Sequence, residues 1–336
     1  MTLNRGTMVL SLDLELCWGR FDKLPVPILE EDSFEERTQI KRLLSLLDRY
    51  EIPATWAMVG HLMLDGCERN GDNAHTDVLP HPEYSWFRKD WYAYDPCTSA
   101  VRSPGWYAPD IVEWIRKAHV RHEIASHSFA HIYYGDPECG ASVARADLAA
   151  AVAAAEPKDI TLKSFVFPRN QVGHLDVLRE HGIRAYRGVD PTRFRKGGGL
   201  LVKTFNFLDQ LLGFPPKAIY AEEGLPGLWN IPGNHFYMAR NGIRKMIPIA
   251  SRVLKGKQGI RQAIRTGGVY HLWFHPFNLN ADSDAMLSGL EQLFSYAHRM
   301  REQELLDIQT MDEYAAHLAA RQVELDQSST AAVLFP

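Results

Sequence analysis

The chain has 336 residues, 46% of them hydrophobic, and a formal net charge of −4. This length can hold one large domain or two ordinary ones, and the charge argues against a protein whose whole surface binds nucleic acid. Four scattered cysteines without a C-x-x-C pair favour a reduced compartment over a disulfide framework. The sequence shows no signal-peptide pattern and no apolar run of about 18 residues, so we expect a soluble, cytoplasmic protein.

Short apolar segments alternate with helical patterns along most of the chain. Strands are predicted at residues 8–14, 53–59, 123–126, 164–167, 186–189, 268–275 and 305–309. Helices are predicted at residues 33–50, 110–119, 141–155, 175–181, 282–304 and 312–322. The alternation predicts an α/β fold with a parallel sheet covered by helices, and the length suits a (β/α) barrel.

Two segments interrupt this rhythm. Residues 66–108 are rich in Asn, Asp, Gly, Pro and aromatic side chains, which predicts a long functional loop rather than a linker. A second inserted loop is expected at residues 200–262. We therefore predict a single barrel domain over residues 1–325, followed by a C-terminal tail at 326–336.

A pair of carboxylates, Asp13 and Glu15, ends the first predicted strand. Side chains alternate along a strand, so these two can face one pocket. One can ligate a metal while the other takes a proton from water. Solvated acids, or acids that cap the next helix, are the alternative.

His127 and His131 are four residues apart, just after another predicted strand. In one helical turn such residues share a face with Cβ atoms about 5–6 Å apart. Both rings could then bind one divalent metal at about 2.1 Å. A pair of hydrogen-bonded structural histidines is the alternative.

Two further candidates follow later strands. Arg169 could hold a carboxylate by a bidentate ion pair and keep it ionised, although a surface arginine after a turn proline is equally compatible with the pattern. His275 lies next to a loop and is the better candidate for a general acid. In an extended strand His271 would be about 13 Å from it, so we predict that His271 is a packed structural residue.

Four motifs stand in order along the chain: Ser11-Leu12-Asp13-Leu14-Glu15, His127-Ser128-Phe129-Ala130-His131, Phe167-Pro168-Arg169 and Trp273-Phe274-His275-Pro276. In this order they resemble the NodB-homology polysaccharide deacetylases, carbohydrate esterase family 4. The likeness spans roughly residues 7–190 and 266–320. It implies a distorted (β/α) barrel of about seven parallel strands. It also implies a metal-dependent enzyme that removes an acyl group from an N-acyl sugar.

The resemblance also implies a role for each matching residue. Asp13 would be the general base, and His275 would protonate the leaving amine. Arg169 would tether the base. Glu15, His127 and His131 would ligate a divalent metal, most often zinc, with cobalt, nickel or manganese as alternatives.

Two motifs depart from the family's commoner pattern. The family's usual first motif has adjacent aspartates, whereas here Leu14 separates Asp13 from Glu15. Their two roles could therefore be exchanged. The third motif usually reads Arg-x-Pro, whereas here Pro168 precedes Arg169, which puts the tether in question.

Substrate contacts are predicted from aromatic side chains, because flat apolar sugar faces pack on such rings. The long loop at 66–108 is rich in them, although they could equally attach the loop to the barrel. The predicted substrate-binding residues are Trp18, Trp86, Trp91, Trp273 and Asn170.

Residues 240–265 carry eight basic side chains and no acid. Three interpretations stay open: a solvated basic helix, a site for the diphosphate of a nucleotide- or polyprenyl-linked sugar, and contact with an anionic membrane. The basic residues are Arg240, Arg244, Lys245, Arg252, Lys255, Lys257, Arg261 and Arg265.

The leading hypothesis is a metal-dependent N-deacetylase acting on a cytoplasmic glycan precursor during surface-polysaccharide biosynthesis. It could work at the inner face of the membrane and has no nucleic-acid partner. A sugar deformylase or a cyclic amidase on the same fold is the first alternative, and a non-catalytic sugar-binding protein is the second. The oligomeric state stays open.

Overall fold

The computed structural model describes residues 5–70, 73–75, 79–190 and 200–334. In these ranges the strands are β1 (Gly6–Leu14), β2 (Thr55–Met58), β3 (Arg69–Asn70), β4 (Asn73–Ala74), β5 (Glu123–Ser126), β6 (Ser164–Val166), β7 (Ala185–Arg187), β8 (Glu222–Leu225), β9 (Leu228–Asn230), β10 (His235–Phe236), β11 (Val269–Phe274) and β12 (Leu306–Gln309).

The α-helices found in the same ranges are α1 (Val26–Arg49), α2 (Pro109–Arg116), α3 (Ala141–Ala155), α4 (Leu175–Glu180), α5 (Leu200–Leu212), α6 (Ile249–Thr266), α7 (Ser283–Glu302) and α8 (Met311–Leu334). Short 3₁₀ turns connect several elements, and two of them follow strands that carry candidate site residues: Leu16–Gly19 and Pro276–Asp282. No helix of this part of the chain combines the length and the apolar character needed to cross a lipid bilayer.

The main sheet has the order β10-β11-β1-β2-β5-β6-β7-β9-β8 and wraps into an incompletely closed barrel. Every pair along this path is parallel except β8 with β9, and β12 pairs with the first half of β1. All nine residues of β1 are buried. A strand of a parallel sheet is covered on both faces, so a continuous apolar run such as Met8–Leu12 is what its position requires. The predicted α/β barrel fold is confirmed, but its main sheet contains more strands than the predicted seven.

The segment at 200–262, predicted as an inserted loop, contains two helices and three strands. β9 pairs with β7, and β10 pairs with β11, so this segment lies at both edges of the sheet. The strands are only two to four residues long, which is too short for a recognisable alternation. At the other end of the chain, α8 continues to Leu334, into the region predicted as a tail. The domain boundaries remain a prediction.

The segment at 66–108 has little regular structure among its described residues. It holds the two-residue hairpin strands β3 and β4, followed by turns up to α2. Aromatic side chains attach it to the barrel: Trp91 is fully buried, and its indole N–H donates to the carbonyl of Ala130 at 2.8 Å. The segment therefore forms one wall beside the carboxyl ends of the strands.

Candidate active site

Five polar side chains meet at the carboxyl ends of the parallel strands. Asp13 is near the end of β1 and Glu15 follows it, His127 directly follows β5, Arg187 ends β7, and His275 directly follows β11. Strand ends on this side of a (β/α) barrel are where such enzymes place their reactive groups. Strands far apart in sequence therefore bring two carboxylates, two imidazoles and one guanidinium together.

Glu15, His127 and His131 form the most compact group. The Oε1 atom of Glu15 lies 3.0 Å from Nε2 of His127 and 3.1 Å from Nε2 of His131. All three residues are buried. The three donor atoms converge closely enough to hold one metal ion.

The hydrogen bonding of His127 supports this fit. Its Nδ1 lies 2.8 Å from the carbonyl oxygen of Val166, which can only accept, so Nδ1 carries the proton. In the neutral ring Nε2 then offers a lone pair towards the Glu15 carboxylate, which also offers lone pairs. Two acceptors at this distance repel one another, and a cation between them removes the repulsion. In metal-bound histidines the ring nitrogen that does not bind the metal typically donates a hydrogen bond to a backbone carbonyl or a carboxylate.

The two histidines are not on a helical turn, contrary to the prediction. The segment after β5 is irregular, and Ser128 and His131 have φ angles of +68° and +58°. Buried Asp147 of α3 fixes the loop by accepting hydrogen bonds from the backbone N–H groups of Phe129 and Ala130 at 2.9 and 3.2 Å. The two imidazoles therefore meet, with ring centroids 5.2 Å apart, through a loop held by Asp147.

Asp13 is held by Arg187. Each carboxylate oxygen accepts a guanidinium hydrogen bond of 2.6 Å, and both side chains are buried. Burial alone would raise the pKa of Asp13, but the charge of Arg187, with that of His275, outweighs it and lowers the pKa below the ordinary value. Arg187 also donates to Ser11 at 3.0 Å and lies over the ring of Trp273. Asp13 is thus kept as a carboxylate.

The expected tether, Arg169, has other partners. Its guanidinium donates to Asp22 at 2.9 Å and to the hydroxyl of Tyr133 at 3.1 Å. Among the described contacts none joins it to Asp13, so the expected pairing is wrong. Arg169 has a backbone φ of +56° in the 3₁₀ turn Pro168–Asn170, and this turn directs its side chain to Asp22 and Tyr133. Arg187 was not recognised in the sequence because β7 has only three residues and therefore a weak strand pattern. The one feature that could have indicated it is a basic residue at the end of this strand.

His275 lies at the open side of the site. Its Nε2 is 3.6 Å from Asp13 and 3.4 Å from Glu15, and its side chain is 19% exposed. Burial would lower the pKa of His275, but the negative charges of Glu15 and Asp13 outweigh burial and raise it. Burial would raise the pKa of Glu15. The charges of His275 and His131 outweigh burial and hold this pKa well below its usual range. His275 therefore favours its protonated form here.

His271 is a structural residue, as predicted. It is fully buried, and its two ring nitrogens contact Ser11 Oγ at 2.8 Å and the carbonyl of Ile231 at 3.0 Å. Burial lowers the pKa of His271 to about 3. It supports β1 and β11 below the site.

The predicted substrate-binding residues divide into two groups. Trp18 and Trp91 are fully buried in the described structure, so their assignment as sugar-contacting residues is wrong; they attach the loop to the barrel. Trp86 is 46% exposed and stacks on Tyr133 with ring centroids 5.3 Å apart. Trp273 is 9% exposed, beneath Arg187.

Asn170, the remaining predicted substrate contact, lies beside Arg187, the partner of Asp13. Its side-chain oxygen accepts a hydrogen bond from Arg187 at 3.3 Å. The residue is partly exposed, so it lines the site and also restrains the arginine that holds Asp13.

Solved structures with the same architecture cover nearly the whole chain. A protein described as a polysaccharide deacetylase from Mycobacterium smegmatis matches 96% of this chain and 93% of its own, with a TM-score of 0.64 at 14% identity. One so described from Pseudomonas aeruginosa PAO1 matches 93% and 90%, with a TM-score of 0.58 at 13% identity. The chain has the NodB-homology polysaccharide-deacetylase fold.

This fold is also that of the PuuE allantoinase. That structure covers 94% of this chain and 90% of its own, with a TM-score of 0.59 at 14% identity. No protein-family profile matches the chain, and no curated protein sequence matches it at a significant level. The polysaccharide-deacetylase fold thus rests on structure, and the chemistry must be argued from the site.

Proposed function

We propose that the protein is a metal-dependent hydrolase that removes the acetyl group from an N-acetylated sugar. The observation that carries the proposal is the arrangement at one mouth of the barrel: three converging metal donors, a carboxylate held by an arginine, and a histidine within 3.6 Å of both acids. A module that only binds a sugar has no use for a base, an acid and a metal together.

Glu15, His127 and His131 would hold the ion. Two imidazole nitrogens and one carboxylate, with the rest of the coordination sphere left to water and substrate, are typical of catalytic zinc. We therefore propose zinc ahead of cobalt, nickel or manganese. When bound, such an ion supplies a Lewis acid that polarises an amide carbonyl and acidifies water.

Asp13 would take the proton of the attacking water. Its ion pair with Arg187 keeps it ionised, so it is ready to accept a proton at neutral pH. The geometry therefore favours Asp13 as base and Glu15 as ligand over the exchanged roles. Glu15 is the carboxylate that reaches both histidines.

His275 would give a proton to the amine that leaves. Expulsion of an unprotonated amine is unfavourable, so the bond to nitrogen breaks only when a donor is at hand. The charges of Glu15 and Asp13 raise the pKa of His275 and so favour its protonated ring, and its partial exposure leaves it accessible to a bound substrate.

The sugar would pack on Trp86, which is 46% exposed and stacks on the buried ring of Tyr133. Tyr133 lies 5.6 Å from the ring of His131, so this stack borders the metal donors. An exposed aromatic ring such as Trp86 beside a polar site offers the flat apolar surface that sugar faces need. Trp273 and Asn170 would contact the acyl group's side of the pocket, next to Arg187.

A second candidate is a hydrolase of a cyclic amide. It is favoured by the similarity of the fold to that of an allantoinase and by Glu15, which takes the place of a second adjacent aspartate. The reaction centre would be the same, because both reactions add water to an amide carbonyl.

The test is a screen of the zinc-loaded protein. N-acetylated and N-formylated nucleotide sugars and glycans are assayed for released acetate and formate, and allantoin for ring opening. Acetate from an N-acetyl sugar is expected. Formate release would support a sugar deformylase, ring opening alone would support the cyclic amidase, and sugar binding without any hydrolysis would contradict an enzyme.

The basic segment at 240–265 is only partly available to a partner. Arg252 and Lys255 are buried, and Lys255 pairs with Asp209 at 2.7 Å, so a uniformly solvated basic helix is not what forms. In the 3₁₀ turn Gly242–Met246, exposed Arg244 and Lys245 lie between Ile243 and Met246, each of which is 68% exposed.

We propose this turn as the point of contact with an anionic membrane, rather than as a diphosphate site. Basic residues at such a surface contribute about 1 kcal/mol each, and exposed apolar side chains can insert beside them. Flotation with liposomes tests it: binding to vesicles with anionic lipid, lost on replacing both basic residues, is expected. Equal recovery without anionic lipid would contradict it. The cytoplasmic location stays a prediction.

A further inference from the structure

A second set of metal-ligating side chains lies behind the candidate active site. The set consists of His61, Cys67, His75 and Asp95: each offers one donor atom, and these four atoms all lie within 4.8 Å of one another. His61 comes from the barrel, in the 3₁₀ turn after β2; the other three come from the segment at 66–108. His61 and Asp95 are buried, and the other two are partly buried.

The separations between the donors suit a tetrahedral ion. Asp95 Oδ2 lies 2.9 Å from His61 Nε2, 3.0 Å from His75 Nε2 and 3.3 Å from Cys67 Sγ, and the two Nε2 atoms are 3.1 Å apart. Zinc bonds of about 2.0–2.3 Å place neighbouring donors roughly 3.3–3.6 Å apart, so only a small expansion is needed.

The hydrogen bonding of His61 indicates that a cation lies at the centre of the cluster. His61 Nδ1 faces the carbonyl of Trp106 at 3.3 Å, so it carries the ring's proton and Nε2 offers a lone pair. That lone pair faces a carboxylate oxygen and a second imidazole nitrogen. His61 Nε2 and Asp95 Oδ2 are both acceptors of buried residues, 2.9 Å apart, so they repel one another unless a cation lies close to both.

Hydrogen bonds to one carboxylate oxygen of Asp95 leave the other oxygen available to bind a metal. Its Oδ1 accepts hydrogen bonds from the Tyr107 hydroxyl at 2.5 Å and from the backbone N–H of Cys97 at 3.0 Å. Oδ2 is thereby left to the converging donors. Such hydrogen bonds to the far atoms of metal ligands are the usual support of a protein metal site.

We propose that His61, Cys67, His75 and Asp95 bind a structural zinc ion. Two nitrogens, one thiolate and one carboxylate complete a tetrahedral sphere and leave no open position, as structural zinc sites do. The ion ties the segment at 66–108, which has little regular structure, to the barrel. It lies apart from the candidate active site, because the rings of Trp18 and Phe129 pack against His61 with centroids 4.5 and 5.5 Å away.

The second metal site does not depend on the proposed catalytic centre, but its ion would also support that centre. Trp18 is three residues from Glu15, and Phe129 lies between His127 and His131. An ion at the second site would therefore brace the loops that carry the first set of donors. Both sites together predict two ions per chain.

Cobalt distinguishes the two sites, because only the second contains a thiolate. The chelator-treated protein is titrated with Co²⁺ and its near-ultraviolet spectrum is recorded, with total metal measured by elemental analysis. We expect a thiolate-to-cobalt charge-transfer band in the native chain and in His131→Ala. The band should be lost in Cys67→Ser and kept in Cys97→Ser, the matched control in the same segment.

The His131→Ala variant keeps the test decisive if Cys67→Ser does not fold. It retains the second site intact, so it should bind one ion per chain, show the band, and gain thermal stability on addition of Zn²⁺ alone. Absence of the band in the native chain and in His131→Ala, or a band that persists unchanged in folded Cys67→Ser, would overturn the proposal. If the native chain showed the band but released no acyl group from any substrate tested, that result would count against the proposed function only.

Discussion

The guanidinium of Arg187 holds both carboxylate oxygens of Asp13 at 2.6 Å, and both side chains are buried. This ion pair joins the end of β7 to the end of β1 across the mouth of the barrel. Because each partner neutralises the other, removing one leaves an uncompensated buried charge. The pair therefore sets both the position and the protonation of the proposed base.

Replacing Arg187 by methionine should impair the reaction in a pH-dependent way. Without the guanidinium the pKa of Asp13 rises, so more of the base is protonated and the acidic limb of the activity profile moves to higher pH. We expect kcat/KM at neutral pH to fall by about 100-fold or more.

The control for this change is Arg184→Met, three residues earlier and paired with Asp312 at an exposed position. Exposed ion pairs contribute little, so its pH profile should match that of the native chain. An unshifted acidic limb in folded Arg187→Met would show that Arg187 does not control the base.

Gly19 should be required for metal binding. A Cβ atom at this position would overlap Oε2 of Glu15, the residue that reaches both metal histidines. In Gly19→Ala the carboxylate must move, so we expect zinc affinity to drop by about 10-fold or more, in the range seen when a ligand's orientation is disturbed. Calorimetric titration measures it, with Gly140→Ala, where the new methyl group meets only Ser142, as control. Native affinity in Gly19→Ala would argue against Glu15 as a ligand.

His275→Gln should affect substrates according to their leaving groups. An amine needs a proton to leave, whereas the phenolate of an aryl acetate does not, so only the amide reaction loses general-acid catalysis. We expect a loss of about 10²–10⁴-fold with the N-acetyl sugar and a far smaller loss with an aryl acetate. Native activity should also fall at alkaline pH, above the raised pKa of His275. Equal losses with both substrates would mean that His275 has another role.

The buried histidine below the site should make the protein acid-sensitive. His271 stays neutral in the folded chain until its pKa of about 3, whereas in the unfolded chain it takes up a proton near pH 6.5. The unfolded state therefore binds more protons between these values, and the free energy of unfolding falls as the pH falls through that window.

In His271→Gln the pH-dependent contribution of His271 to the free energy of unfolding is absent. The variant should be less stable than the native chain at pH 7 because it loses hydrogen bonds, and the difference should shrink by about 2 kcal/mol on going to pH 5. Denaturant unfolding at several pH values measures it, with His119→Gln at an exposed position as control. A difference that is constant with pH would contradict the neutral state of His271.

The sequence contained enough to predict the barrel and most of the candidate site. Asp13, Glu15, His127 and His275 lie at or just after the ends of apolar strands, and the carboxyl ends of parallel strands share one edge, so their meeting could be anticipated. His127 and His131 were expected on a helix, which is the usual way to bring residues four apart together. The structure uses an irregular loop instead, because Asp147 supplies hydrogen bonds that a helix would otherwise provide.

Other features depend on contacts that local patterns do not encode. Arg187 reaches Asp13 from 174 residues away, on a strand of three residues with no clear alternation. The donors of the second metal cluster have no short spacing in common, since Cys67, His75 and Asp95 are spread through an irregular segment and His61 belongs to the barrel. Burial of Trp18 and Trp91 could not be foreseen either, because aromatic residues serve equally in cores and in sugar sites.

The most direct test of the account measures metal binding and acyl release together in Asp13→Asn and Glu15→Gln. Asp13→Asn should retain the zinc of the candidate active site and lose acetate release from the N-acetylated sugar that the native chain cleaves. Glu15→Gln should lose both. If Asp13→Asn hydrolysed the substrate at the native rate, or if the native chain bound no ion at Glu15, His127 and His131, the proposed mechanism would be contradicted.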